Sequence, residues 1–255
     1  MKKGLFRKGL IFGIIVLFIG ASIIPSTVGT IKEKNVLMNL GSPGYIQNLI
    51  DNASHGDIIY IPNGTYYENI VINKSISLIG EDKNTTIIDA SGNGTVIQIR
   101  TGWVNISGFT IQNSGNDLED AGVFMNIFSD YNTISGNYIT KNFVGIYLLG
   151  SSYNKITYNI ISFNFRSIGI VDESGPFGGV FESDRNNIFR NNMLKNQRGP
   201  IFSYLKGIRK NTWRDNYWNR PRVLPKFIFG VANSYPLIIP WFEIDWCPAK
   251  EQYDI

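Results

Sequence analysis

Tyr131-Asn132-Thr133-Ile134, Asn137-Tyr138-Ile139 and Asn142-Phe143 return 22 residues later as Tyr153-Asn154-Lys155-Ile156, Asn159-Ile160-Ile161 and Asn164-Phe165. A fixed period of this length is the signature of a repeat architecture. Each unit holds two or three short apolar segments separated by Asn or Gly. An amphipathic helix needs apolar residues at 3.6 spacing over ten or more positions, and these runs are too short for that. Brief β-branched runs punctuated by Asn and Gly read as strands and tight turns. Asn tolerates the left-handed backbone conformation, so the turn conformation is expected on the asparagines themselves. One unit can then form one triangular coil of three strands, and successive coils stack at roughly 4.8 Å. Equivalent side chains fall on top of one another. The pattern predicts an Ile ladder inside and a structural ladder of Asn132 with Asn154, Asn137 with Asn159, and Asn142 with Asn164, each amide bonding the next.

The repeat extends in both directions. Asn187-Ile188, Asn191, Met193 and Asn196 restate the pattern after a spacing of 32, with a Gly-rich, acidic insertion from Asp172 to Glu182 between. Upstream, Val104 to Asn113 is a diverged copy, and Ile58–Ile61, Ile70–Ile72, Ile76–Ile79, Thr86–Ile88 and Val96–Ile99 supply earlier strands. The prediction is an all-β fold: a right-handed parallel β-helix of three sheets over residues 57–213, with about seven or eight coils by division.

The remaining segments read differently. Residues 1–29 begin with Lys2, Lys3, Arg7 and Lys8, followed by an apolar run from Leu10 to Ile24 and small residues around Thr27-Val28-Gly29. That is the layout of a secretory signal peptide, or of an N-terminal anchor if it is not cleaved. The formal charge of +4 comes entirely from this leader; from Thr30 onward 20 basic residues balance 20 acidic ones. A balanced chain lacks the basic footprint of a nucleic-acid binder. The single Cys247 excludes an intramolecular disulfide. Six sequons begin at Asn52, Asn63, Asn73, Asn84, Asn93 and Asn105, all on the first coils. Residues 44–56 place Tyr45, Ile46, Leu49, Ile50 and Ala53 on one helical face, as expected of an N-terminal cap helix that covers the first coil. His55, the only histidine, is assigned a turn role, because one ring cannot build a His-based metal site. Residues 214–255 carry no coil repeat and are rich in Trp and Pro; they read as an irregular C-terminal cap, with a sugar platform as the alternative.

Tyr45-Ile46-Gln47, Gly56-Asp57-Ile58-Ile59-Tyr60-Ile61-Pro62-Asn63-Gly64-Thr65-Tyr66-Tyr67-Glu68 and Ile76-Ser77-Leu78-Ile79-Gly80 resemble the opening of right-handed parallel β-helix proteins of the pectin-lyase-like superfamily. The Asn/Ile coils resemble its NosD-like group, also called carbohydrate-binding and sugar-hydrolase domains. The resemblance covers most of residues 45–218. It implies an extracellular or periplasmic location and carbohydrate as the commonest partner, and the tail is similar to those of exported archaeal members. The family name also carries copper. This chain lacks the clustered His and Met that would support it, so no metal and no cofactor is expected, with calcium as the one possibility left open.

Chemistry is sought where two insertions bracket one sheet. Ser114 to Asp120 precedes the strand Gly122–Met125, and residues 172–184 follow the strand Ile168–Val171. They offer Asp120, Asp172 and Asp184 as candidate catalytic carboxylates. Alternation sends Val123, Met125, Ile146 and Leu148 inward, so Phe124 and Tyr147 are expected outside as an exposed aromatic strip for carbohydrate. The hydrolase motifs of paired Asp-Asp and Gly-His-Gly are absent, as is a lyase base motif. The expectation is therefore an exported, noncatalytic protein that binds a polysaccharide or cell-envelope glycan. A polysaccharide lyase or hydrolase and a structural or adhesive surface element are the alternatives, with membrane contact only through the leader.

Overall fold

The computed structural model describes residues 43–176, 179–205, 209–234 and 237–255, so the expected leader lies outside it. Among the described residues no helix is long and apolar enough to cross a membrane. The chain is a parallel β-helix. Its clearest coil is Thr133–Ser135, Tyr138–Thr140 and Val144–Leu149, which pairs in parallel with Lys155–Thr157, Ile160–Ser162 and Arg166–Val171 of the next coil. Ile134 lies opposite Ile156 and Ile139 opposite Ile161, the register that the 22-residue period demands. All four are fully buried. The second face of the triangle stacks seven strands, which fixes seven coils. The first and third faces belong to a single 15-stranded sheet, because a terminal hairpin joins them.

Columns of buried apolar side chains fill the interior from Ile46 to Ile228. The asparagines close the corners. The backbone N–H of Asn132 donates to Oδ1 of Asn154, that of Asn154 to Asn186, and that of Asn186 to Asn211, each at 2.8 Å. A second ladder runs Asn137, Asn159, Asn191, Asn216, and a third Asn142, Asn164, Asn196. The left-handed turn residue is not the asparagine. It is the residue before it: Tyr131, Lys141, Tyr153, Tyr158 and Phe163 have φ between 53° and 60°, and Gly136 has φ 66°. The asparagine turns inward under the bend, where its Nδ2 caps strand carbonyls, as Asn159 does for Ile134 and Thr157. Its amide is needed for those bonds, while the residue before it absorbs the backbone reversal and sends its side chain outward.

The insertions leave the register intact. The 114–120 segment lies in a coil in which Asn105 pairs with Thr133, a spacing of 28. The 172–184 insertion folds as a short antiparallel hairpin, Glu173–Ser174 with Val180–Phe181. At the start, the helix Tyr45–Asp51 buries Ile46 and Ile50 over the first coil. It has no side-chain cap of its own. The coil supplies both: Glu68 accepts from the N–H groups of Ile46 and Gln47 at 3.0 Å, and the Lys74 ammonium donates to the carbonyls of Ile50, Asp51 and Ala53. His55 Nδ1 accepts from the Ser75 N–H in the adjoining turn. All six sequon asparagines are exposed.

At the other end, coil strands continue to Tyr217–Trp218. The tail beyond carries no coil repeat, yet about half of it is regular: Lys226–Ser234 and Leu237–Asp245 form an antiparallel hairpin of nine residue pairs. The irregular backbone is confined to the segments flanking it.

Candidate functional site

Phe124 and Tyr147 stand on the outward side of the third face with their rings stacked at 5.3 Å. They are not an exposed strip. Phe124 is only 5% exposed, because it packs between Gln98 and Tyr147 of the neighbouring coils and against Ala121, Val144 and Leu149. Tyr147 is half-buried over Gly169, where a Cβ would come within 2.5 Å of its ring. Burial holds the Tyr147 hydroxyl above its ordinary pKa, and the carboxylates of Glu119 and Glu173 add to the effect. The pair is thus the centre of a small apolar cluster between acidic loops and offers little ring face to a ligand.

The candidate carboxylates are occupied and serve three different structures. Asp172 is paired with Arg209 at 2.6 Å, with side chains 0% and 7% exposed, and accepts from the N–H groups of Ser183 and Leu205. This buried, fully bonded pair braces the base of the inserted hairpin. Asp184 accepts from the Lys210 N–H and pairs with Arg185 at 3.2 Å. Asp120 closes its own loop by accepting from the Asp117 N–H at 2.9 Å. Each of the three is thus held by its own set of partners.

A different surface emerges at the first corner, on the left-handed residues themselves. Trp103, Tyr131 and Tyr153 stack at 4.7 and 4.8 Å with planes within 10° of parallel. The Arg185 guanidinium closes the column over Tyr153 at 5.4 Å and donates to its hydroxyl at 2.7 Å. The inner rings cover each other's faces. Trp103 at the open end is 66% exposed, against 44% for Tyr131 and 40% for Tyr153. Beside this column lies a groove of about 300 Å³ lined by Phe128, Asp130, Tyr153, Phe181, Asp184 and Arg185, among others. Phe128 is 67% exposed and meets Phe181 edge-on at 4.9 Å. Phe181 comes from the inserted hairpin and fits because Gly150 beneath it has no Cβ. Asp130 is oriented by the Ser152 N–H at 2.7 Å. An aromatic wall, fixed carboxylates and a guanidinium around a shallow trough can stack on a sugar ring and bond its hydroxyls.

Sequence reasoning quoted Tyr131 and Tyr153 as part of the repeat but missed this surface. The signal was there: an aromatic residue before a ladder Asn in successive coils. Reading it required knowing that this position, and not the Asn, points to solvent.

Among solved structures, the chain is similar to ORF18 of Geobacillus virus E2, with 21% identity and a TM-score of 0.47, over 68% of this chain and 37% of that one. It is also similar to a pectin methylesterase from Yersinia enterocolitica, with 14% identity and a TM-score of 0.41, over 77% of this chain and 85% of that one. A comparison with curated protein sequences found no match. The family model described as "Periplasmic copper-binding protein (NosD)" matches residues 45–224. With its parallel coils and Asn ladders, the chain belongs to the NosD family.

Proposed function

We propose that the chain is an exported, noncatalytic β-helix protein that binds a polysaccharide or cell-envelope glycan in the groove beside Tyr153. The observation that carries this is a trough of about 300 Å³ lined by the exposed Phe128 ring together with Asp130 and Arg185. Phe124 and Tyr147 have a supporting part at most, since Phe124 shows too little surface to stack a ring. The basic-then-apolar leader and the periplasmic description of the family support export.

The copper in the family's description does not fit these residues. Copper sites draw on imidazole, thiolate and thioether donors. The chain has one histidine and one cysteine. His55 sits at the first coil and bonds Ser75, while Cys247 is exposed beyond the closing hairpin. Met125 and Met193 are buried in the core. Among the described residues no three of His, Cys, Asp and Glu gather as a metal-binding group.

Glycan-array binding of the full chain, with and without calcium, tests the reading. Phe128→Ala, at an exposed position, should leave the coils folded and weaken binding about tenfold, the loss expected for one stacking ring. Absence of any glycan binding, or undiminished binding by Phe128→Ala, would overturn it. Cleavage of a bound polymer would favour a lyase or hydrolase instead.

A further inference from the structure

The coil that begins at Arg185 changes the chemistry of every corner. Aromatic side chains in the preceding coil meet cations: Arg185 lies over Tyr153, Arg190 over Tyr158, Lys195 over Phe163 and Arg198 over Phe165. Arg185 and Arg190 also have carboxylates within 4 Å. Arg198 has none among the described residues. Next to it, Arg222 and Lys226 enter from the segment leading into the closing hairpin. Arg198, Arg222, Lys226, Asn196, Ser167 and Trp218 line a pocket of about 120 Å³.

Three features mark this pocket as built for a negative group. First, its lining contains three cations and no acid, in a chain whose charges balance from Thr30 onward. Arg198, Arg222 and Lys226 form no ion pair with any described carboxylate. Asp245 lies opposite Lys226 in the hairpin; its Oδ2 is taken by Asn216 and by the Trp218 indole N–H, and its Oδ1 is buried without a hydrogen-bond partner, yet the two side chains form no ion pair. Second, two buried polar atoms in the lining, Arg222 Nε and Ser167 Oγ, have no hydrogen-bond partner. An unpaired buried donor is costly, and two in one small pocket call for an acceptor. Third, the cations crowd each other. Burial, then Arg222 and Arg220, hold the Lys226 ammonium below its ordinary pKa, and burial, then Arg198, does the same for neighbouring Arg166. The Lys226 ammonium lies 5.9 Å over the Trp218 ring, a weaker partner than an anion.

We propose that the pocket lined by Arg198, Arg222, Lys226 and Ser167 binds a single oxyanionic group, a sulfate, phosphate or carboxylate, either free or carried on an anionic polymer. The volume suits one such group and not a sugar ring. Arginine forks bond two oxygens at once, Ser167 donates a third bond, and Lys226 supplies the charge. The site lies at the third corner, away from the groove beside Tyr153, and does not depend on the glycan reading.

The test is calorimetric titration of the full chain with inorganic phosphate and with sulfate, at ionic strength matched with chloride. Dextran sulfate, polygalacturonate and neutral dextran follow. Saturable binding of phosphate or sulfate is expected, at least tenfold weaker in Arg222→Gln and lost in Arg222→Gln/Lys226→Gln. Arg198→Gln, at an exposed site on an intact coil, should weaken it too, which keeps the test valid if the double variant misfolds. Phe128→Ala should bind the anions normally, so the two sites are read separately. Tighter binding of a charged polymer than of free ions, with the same sensitivity to the variants, assigns the group to a polymer; binding of ions alone assigns a small-ion site. Neither ions nor polymers binding saturably, or Arg222→Gln and Arg198→Gln binding like the parent, overturns the proposal.

Discussion

Asn159 uses nearly all its hydrogen-bonding capacity. Its Oδ1 accepts from the backbone and side-chain amides of Asn137; its Nδ2 donates to the carbonyls of Ile134 and Thr157 and to Asn191 Oδ1; its N–H donates to Asn191 at 3.0 Å. Valine at this fully buried position would orphan the Asn137 N–H and remove the amide bonds to the Ile134 and Thr157 carbonyls and to Asn191 Oδ1, with no water to replace them. Each costs about 1–3 kcal/mol, so Asn159→Val should lose roughly 3 kcal/mol or more. Lys155→Val, four residues away on the exposed side of a strand, gives up only a contact with Phe189 at 5.4 Å and should change stability by less than about 1 kcal/mol. Equal urea midpoints for the two variants would contradict the ladder. These asparagines were legible in the sequence because each buried amide bonds the next, so from Asn132 onward the same residue type recurs at fixed spacing, although Val104, Phe109 and Ser114 hold the equivalent positions one coil earlier. The left-handed residue before each was not legible. Tyr131, Lys141, Tyr158, Phe163, Arg185 and Arg190 all adopt that backbone. Its side chain faces solvent, so residue type there is free to vary, and the aromatic recurrence at Tyr131 and Tyr153 gives way to Arg185 in the next coil.

The closing hairpin carries two carboxylates into the end of the core. Glu243 accepts from the Tyr204 hydroxyl and from the Trp213 indole N–H, both at 2.5 Å, and Asp245 accepts from Trp218 and Asn216. Burial pushes Glu243 up from 4.5 to about 7, although its bonds from Tyr204, Trp213 and Asn211 pull the other way. The folded state therefore holds this proton more tightly than the unfolded chain does. The resulting stabilisation is complete below pH 4.5 and is lost as pH rises through about 7. Melting temperature should fall between pH 5 and pH 8, by an amount equivalent to at most about 3 kcal/mol. Glu243→Gln should flatten most of that slope. Burial raises Asp245 in the same direction, so a residual slope should remain. A profile for Glu243→Gln as steep as the parent's would exclude Glu243 as the source. None of this was readable beforehand. Glu243 and Asp245 sit among Pro240, Trp241 and Trp246 in a stretch without periodicity, and only the pairing of the hairpin decides which side chains enter the core. The inserted acidic loop was opaque for a related reason. It offered Asp172 as a candidate catalytic acid, and Asp172 pairs with Arg209, a partner 37 residues away that no local pattern announces.

For the molecule as a whole, the period sufficed to derive the fold, since seven coils with a common register follow from aligning Ile and Asn. What surrounds the coils was only partly derivable, because loops and closing segments obey partners that the repeat does not specify. The manner of closure carries a further consequence. A parallel stack is open to indefinite addition: its last coil offers unpaired N–H and C=O groups on three faces, a template on which another chain could continue the pile. Here the hairpin answers the first and third faces, and the tail after it flanks the second. Lys226–Ser234 pairs with the strand Ile201–Tyr204, Asp245 meets Trp213, and Tyr253 and Ala249 bond Asn192 and Asn216 beside the last strand of the second face. Because the two hairpin strands run antiparallel to each other, they cannot both present the direction that a following coil would need. A chain ending at Trp218 should lose this stop. It should assemble into thioflavin-positive fibres with rising light scattering at concentrations where the full chain stays clear, and a truncated chain that remained monomeric would refute the assignment. The terminal hairpin thus sets the length of the particle: it makes a finite object out of a geometry whose natural tendency is a filament.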